Sequence, residues 1–108
     1  MSDQPLLVAA AIARLVGEDP LAPVILAAAV ADFPGSFDAT AALALVTEEF
    51  DDVVAVARRL ATGRRQRQHV AIIECWLRRE VDRAHHLSRE HLAEFPDDVI
   101  VSWLAAKR

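Results

Sequence analysis

The sequence lacks tyrosine and has only three glycines, one cysteine and one lysine in 108 residues. With a hydrophobic share of 54%, this composition excludes an intrinsically disordered chain, which needs low hydrophobicity and high net charge. The single cysteine, Cys75, cannot form an internal disulfide and lacks the Cys or His spacing of a zinc site. This cysteine usage favours a reducing compartment, so we expect a cytoplasmic protein.

Long hydrophobic runs are also absent. The longest apolar stretches, residues 6–13 and 24–31, fall far short of the roughly 20 residues that a helix needs to cross a bilayer. The first charged residue is an acid, Asp3, and no Lys or Arg occurs before Arg14. A secretory signal, in contrast, begins with basic residues. We therefore predict neither a membrane span nor export.

The net charge of −4 is unevenly distributed. Residues 1–57 hold one base and nine acids (−8), while residues 58–108 hold eleven bases and seven acids (+4). Opposite charges on the two halves can steer a charged partner or favour head-to-tail contact between copies, although they say nothing about the fold.

The composition predicts an all-α protein. Alanine is abundant, and apolar and polar residues never alternate strictly over a useful length, which favours helix throughout. A chain of this length has room for a single hydrophobic core, so we expect one domain over residues 1–108.

A period of 31 residues brings similar residues into register, as expected when one structural unit is stacked. A doubled offset places residues 30–34 over residues 92–96, including a shared Phe-Pro pair. Chance similarity in an alanine-rich chain is the alternative explanation. The aligned columns are Ala10, Ala41 and Ile72; Ala13, Ala44 and Cys75; Leu15, Val46 and Leu77; Glu18, Glu49 and Glu80; Ala22, Val53 and Ala84.

Each unit is predicted to contain two helices. In the first unit Gly17 ends a helix, and Asp19-Pro20 provides the N-cap and first position of the next. In the second, Ser36 caps a helix that reaches about Thr47, and Thr62-Gly63 ends the following one. One unbroken helix over residues 37–61 is the alternative.

The third unit is predicted to run over residues 65–80 and 81–95 and to stop at Pro96, which lacks the N–H needed to continue a helix. A closing helix follows. The expected units are residues 3–33, 34–64 and 65–95, with the closing helix at 98–107, which makes seven helices.

These columns resemble the tetratricopeptide repeat. The features it shares are a small residue near the middle of each unit, an aromatic or apolar residue three positions earlier in two units, and a closing proline. More narrowly, residues 32–44, 63–70 and 92–98 resemble the tetratricopeptide repeat protein 38 family. The period differs from the usual 34 residues, and Arg65 replaces one closing proline. The matching residues are Ala22, Val53 and Ala84; Phe50 and Val81; Pro34 and Pro96.

The resemblance implies a right-handed superhelix of about three helix hairpins plus the closing helix, with a concave face built from the first helix of each unit. Such arrays bind peptides or proteins on that face. Transferred to this chain, the expected partner-binding residues are Arg14, Asp38, Leu45, Gln66, His69, Ile73 and Trp76.

Candidate catalytic and metal residues have simpler explanations. His86 and Glu90 are four apart on one helical face, but no HExxH motif supplies further ligands, so His85, His86 and His91 are predicted to be surface residues. Cys75 occupies a small core column and is expected to be inert. No nucleophile elbow or phosphate loop occurs. We predict no enzyme activity and no cofactor or metal.

The function predicted from the sequence is a non-catalytic protein-interaction or scaffold module. The alternative is a nucleic-acid-binding helical repeat that uses the basic segment Arg58–Arg67, which is less favoured because the net charge is negative. The apolar helices at both ends of the array further predict a homo-oligomer, unless the chain is part of a longer array.

Overall fold

The computed structural model describes residues 6–107, which are all-helical: within this range it has seven α-helices and no strand. The chain divides into two compact units, Met1–Leu60 and Ala61–Arg108. Unit 1 contains the first four helices and unit 2 the last three. The helices are α1 (Leu6–Val16), α2 (Ala22–Asp32), α3 (Phe37–Ala44), α4 (Phe50–Leu60), α5 (Gly63–Leu77), α6 (Val81–Glu94) and α7 (Val99–Ala106).

The predicted all-α class and the closing helix are confirmed, and the alternative of one helix over residues 37–61 is excluded by the break between α3 and α4. Ser36 is the N-cap of α3, as predicted, and its hydroxyl accepts the Ala39 N–H at 3.2 Å. The helix ends at Ala44, three residues before the predicted Thr47.

Two boundary predictions are wrong. Gly63 begins α5 instead of ending the preceding helix. Its φ is +76°, a backbone conformation that glycine adopts without steric strain. Asp19 does not cap α2, because the N-cap position belongs to Leu21 and the proline in the first turn is Pro23. The carboxylate of Asp19 instead accepts the Leu21 N–H at 2.8 Å, one turn before the helix.

The core of unit 1 forms where α1, α2 and α3 pack together and α3 packs on α4. Four of the six buried residues of α3 are alanines, and short side chains let helices approach closely. The larger buried residues come from the surrounding helices. They are Val8, Ile12, Leu15, Leu26 and Val54, and α3 itself adds Phe37 at its start.

In unit 2, α6 packs on both α5 and α7. All three helices bury apolar residues, most of them on α5 and α7 and one on α6. They are Val70, Ile72, Ile73 and Cys75; Ala84; and Ile100, Val101 and Leu104.

One corner occurs twice with the same backbone geometry. Phe33 ends α2 at φ −130° and ψ 68°, and Phe95 ends α6 at φ −127° and ψ 71°. Three residues later, Ser36 and Asp98 each cap the next helix by accepting an N–H from the residue three positions on. This local match agrees with the doubled sequence offset; the tandem-repeat architecture itself stays a prediction.

Across residues 6–107, no helix is long and apolar enough to span a membrane.

Candidate interaction surface

The outer side of α1 is apolar and exposed. The buried stripe of this helix faces the core of unit 1, and the opposite side is left to solvent. Leu6 is 88% exposed and Leu7 is 48% exposed. The exposed residues of α1 are Leu6, Leu7, Ala9, Ala10, Ala13 and Arg14.

The outer side of α2 has the same character, and Val24 is 67% exposed. Its exposed residues are Pro23, Val24, Ala27, Ala28, Ala31 and Asp32. We call the exposed residues of α1 and α2 together the outer apolar surface. Arg14 and Asp32 are its only charged members.

An ordinary solvated helix of the same protein provides the contrast. The exposed side of α6 carries charges of both signs along its whole length, interrupted only by Val81 and Ala93. Scattered apolar residues on a surface are normal, whereas the exposed sides of α1 and α2 carry almost no charge. The exposed polar residues of α6 are Asp82, Arg83, His86, Arg89, Glu90 and Glu94.

Acidic groups border the outer apolar surface. Asp19 forms an ion pair with Arg14 (Oδ2 to Nη1, 2.7 Å), and the hydrogen bonds from Arg14 and from the Leu21 N–H lower the pKa of Asp19. Glu18 is exposed in the same turn. Residues 1–60 hold nine acids and three bases, a net charge of −6. The single base on the surface is therefore already paired with an acid.

The structure separates the seven predicted partner-binding residues. Arg14 is exposed, and four others are partly exposed: Asp38 and Leu45 in unit 1, Gln66 and Trp76 in unit 2. His69 and Ile73 are only 4% and 2% exposed. The prediction is corrected for these two, because both side chains are buried in unit 2 and cannot line an open groove.

His69 instead belongs to a buried polar cluster that joins the three helices of unit 2. Oδ2 of Asp98 lies 3.1 Å from Nδ1 of His69 and 2.8 Å from Nε2 of His91. An ionised carboxylate only accepts, so both imidazoles donate to it. The other oxygen of Asp98 accepts the Val101 N–H at the start of α7. One aspartate thus caps α7 and ties it to α5 and α6.

Burial alone would raise the pKa of Asp98, but the hydrogen bond and charge of His69, with hydrogen bonds from His91 and the Val101 N–H, hold that pKa well below its usual range. The carboxylate is therefore charged inside the protein. Nδ1 of His91 lies 2.7 Å from Oε1 of Gln68. If both ring nitrogens of His91 carry protons, the ring donates to Oδ2 of Asp98 and to Oε1 of Gln68. If only Nε2 carries a proton, the Gln68 amide has to be flipped so that its NH2 group donates to Nδ1.

The sequence did not reveal this cluster. His91 was expected at the surface, yet it is 1% exposed, and its partners Asp98 and Gln68 lie 7 and 23 residues away. Only the position of Asp98, three residues after Phe95 as Ser36 is after Phe33, signalled its role as a cap. His86 does lie at the surface, where Nε2 pairs with Glu90 at 3.0 Å. Among the described residues, no three His, Cys, Asp or Glu side chains are arranged to hold a metal ion.

The basic segment Arg58–Arg67 is distributed over both units. Arg58 and Arg59 end α4 in unit 1. At the start of α5, Arg64 pairs with Glu94 at 3.1 Å and Arg65 with Asp97 at 3.4 Å. These two arginines therefore connect α5 to the end of α6 and to the loop that follows it.

No protein-family profile matches the chain, and neither a curated protein nor a solved structure matches it.

Proposed function

We propose that the protein is a non-catalytic interaction module of tetratricopeptide-like helix hairpins, and that it binds a protein partner on the outer apolar surface of α1 and α2. The observation that carries this proposal is the composition of that surface. Its twelve exposed residues include only Arg14 and Asp32 as charged side chains, and an uncharged surface of this kind is what a partner covers.

The exposed side chains offer binding energy. Burying a fully exposed Leu or Val side chain yields about 1.5–3 kcal/mol, and Leu6, Leu7 and Val24 are 88%, 48% and 67% exposed. Arg14 adds a polar group at the edge, where such groups contribute to specificity more than to affinity.

The polar cluster of unit 2 supports a non-catalytic role. His69, His91 and Asp98 have the residue types of an acid–base site, but each is at most 5% exposed, so a substrate would have no access to them. Their hydrogen bonds hold helices together, which is a structural task.

A matched pair of substitutions tests the proposal. Ala28→Glu places a charge in the middle of the outer apolar surface, and Ala71→Glu places the same charge at an exposed position in the middle of α5. Circular dichroism first establishes that both variants keep the helical content of the wild type.

Binding is then measured by fluorescence anisotropy against a pool of helical peptides that differ in their apolar faces and flanking charges. We expect at least one peptide to bind the wild type and Ala71→Glu equally, and to lose tenfold or more in affinity for Ala28→Glu. Equal losses in both variants would place the binding site elsewhere. The proposal fails if the wild type binds no peptide and does not self-associate.

A further inference from the structure

We infer that the partner of the outer apolar surface is an amphipathic helix with large apolar side chains on one face and Lys or Arg residues flanking that face. This inference rests on the proposed function and specifies the chemistry of its partner. Three properties of the surface carry it: the sizes of its side chains, its length and the charges around it.

The middle of the surface is built from small side chains, with larger ones toward opposite ends of the hairpin. In α1 the large residues Leu6 and Leu7 begin the helix, and alanines follow. In α2 the large residue Val24 lies near the turn that joins the two helices, and again alanines follow. Helix axes approach to about 8–10 Å where side chains are short. A partner helix therefore has to supply the large side chains that fill the alanine-lined middle.

The length of the surface fits a short helix. Both α1 and α2 have 11 residues, which corresponds to roughly 16 Å at about 1.5 Å per residue. A partner segment of about three helical turns covers this length. Leu, Ile or Phe residues spaced three and four apart would present the matching apolar face.

The charges favour a basic partner. Asp32 is exposed at the end of α2, and residues 1–60 carry a net charge of −6. The last turn of α2 has no basic residue to offset the negative end of its helix dipole. Arg14 is held by Asp19 at 2.7 Å. Lys or Arg residues beside the partner's apolar face are attracted by Asp32 and by the negative charge of the unit, whereas Glu residues there are repelled.

The same properties argue against a second copy as the partner. Pairing two of these surfaces would bring together two units of net charge −6 each. It would also place alanine against alanine, which leaves little apolar volume to fill the contact. Self-association through this surface is therefore the competing outcome that the experiment has to detect.

The test uses two synthetic helical peptides of about 18 residues with the same leucine face, one flanked by lysines and the other by glutamates. Titration calorimetry with the full chain is expected to give at least tenfold tighter binding of the lysine peptide at low salt. The preference should shrink at high salt, because the charges are exposed and screened. Asp32→Asn should reduce the preference, and Asp82→Asn, which removes an exposed acid of α6, should leave it unchanged.

The possible failures separate this inference from the proposed function. If both peptides bind equally and Ala28→Glu weakens both, the surface is a docking site but the inferred charge preference is wrong. If neither peptide binds and ultracentrifugation detects a dimer that Ala28→Glu dissociates, the partner is a second copy. In that case the inference is overturned while the interaction surface stands. If no peptide binds and the protein is monomeric, both proposals are overturned.

Discussion

Replacing Asp98 with alanine tests whether one carboxylate holds α7 to the rest of unit 2. Asp98→Ala removes the N-cap of α7, which is worth about 1 kcal/mol. It also leaves the donors of His69 and His91 without their acceptor in an interior where Asp98 is 5% exposed. A stranded buried donor costs about 1–3 kcal/mol. We expect a total loss of about 3–5 kcal/mol, the range for a buried ion pair that loses one partner.

The measurement is urea unfolding followed by tryptophan fluorescence, because Trp76 and Trp103 both belong to unit 2. Ser36→Ala is the control. Ser36 caps α3 through the same 3.2 Å bond from an N–H three residues on, but it has no histidine partners. Followed by circular dichroism, this control should lose only about 1 kcal/mol. An equal loss in the two variants would refute the reasoning, because the histidine bonds would then contribute nothing.

Acid should remove the contribution of Asp98 in the wild type. The pKa of this carboxyl is held well below the value of about 3.9 in an unfolded chain. A group whose pKa is lowered by folding stabilises the protein above its unfolded pKa and loses that effect as pH falls toward its folded pKa. The stability difference between the wild type and Asp98→Ala should therefore shrink as the pH falls below about 4. A constant difference down to pH 2 would contradict this assignment.

Three further substitutions or reactions test the packing of unit 2. Ala84 is 1% exposed, so Ala84→Leu should destabilise by about 1–3 kcal/mol through overpacking, while the surface change Glu80→Gln should leave the melting temperature nearly unchanged. Arg79 has a φ of +63°, which favours glycine, so Arg79→Gly should stabilise the protein by up to about 1 kcal/mol. The control is Arg78→Gly, which should destabilise because Arg78 has a φ of −86°. Stabilisation by both substitutions would refute the turn argument. Burial raises the pKa of the Cys75 thiol. We therefore expect it to react with a disulfide reagent roughly a hundredfold more slowly in the native protein than in urea. Equal rates in the two states would contradict the burial of Cys75.

The elements that the sequence predicted correctly depend on neighbouring residues. Ser36 caps α3, and α2 and α6 end just before Pro34 and Pro96, because capping and the missing proline N–H act within one turn. Gly63 was misassigned because glycine with positive φ fits either end of a helix. The glycine correctly indicated a helix boundary, but no neighbouring residue showed whether it ends α4 or begins α5.

The candidate site was harder to predict, because burial is decided by helices far apart in the sequence. His69 is separated from Asp98 by 29 residues, and no periodic pattern encodes that contact. The sequence predicted that Ile73 lines an open groove, whereas α5 turns it inward together with Val70 and Ile72. The outer apolar surface was easier to anticipate, since Arg14 is the only charge between Leu6 and Gly17.

A double-mutant cycle separates the cap from the histidine bond within Asp98. Asp98→Ser keeps a capping hydroxyl, as Ser36 shows for α3, but is too short to replace the acceptor of His91 Nε2. His91→Leu removes that donor and leaves Asp98 buried with one histidine fewer. Each single change strands a polar group, whereas the double variant strands neither member of this pair. The sum of the single losses should therefore exceed the loss of the double variant by about 1–3 kcal/mol in urea unfolding. Additive losses would mean that the 2.8 Å contact between His91 and Asp98 contributes no coupling energy.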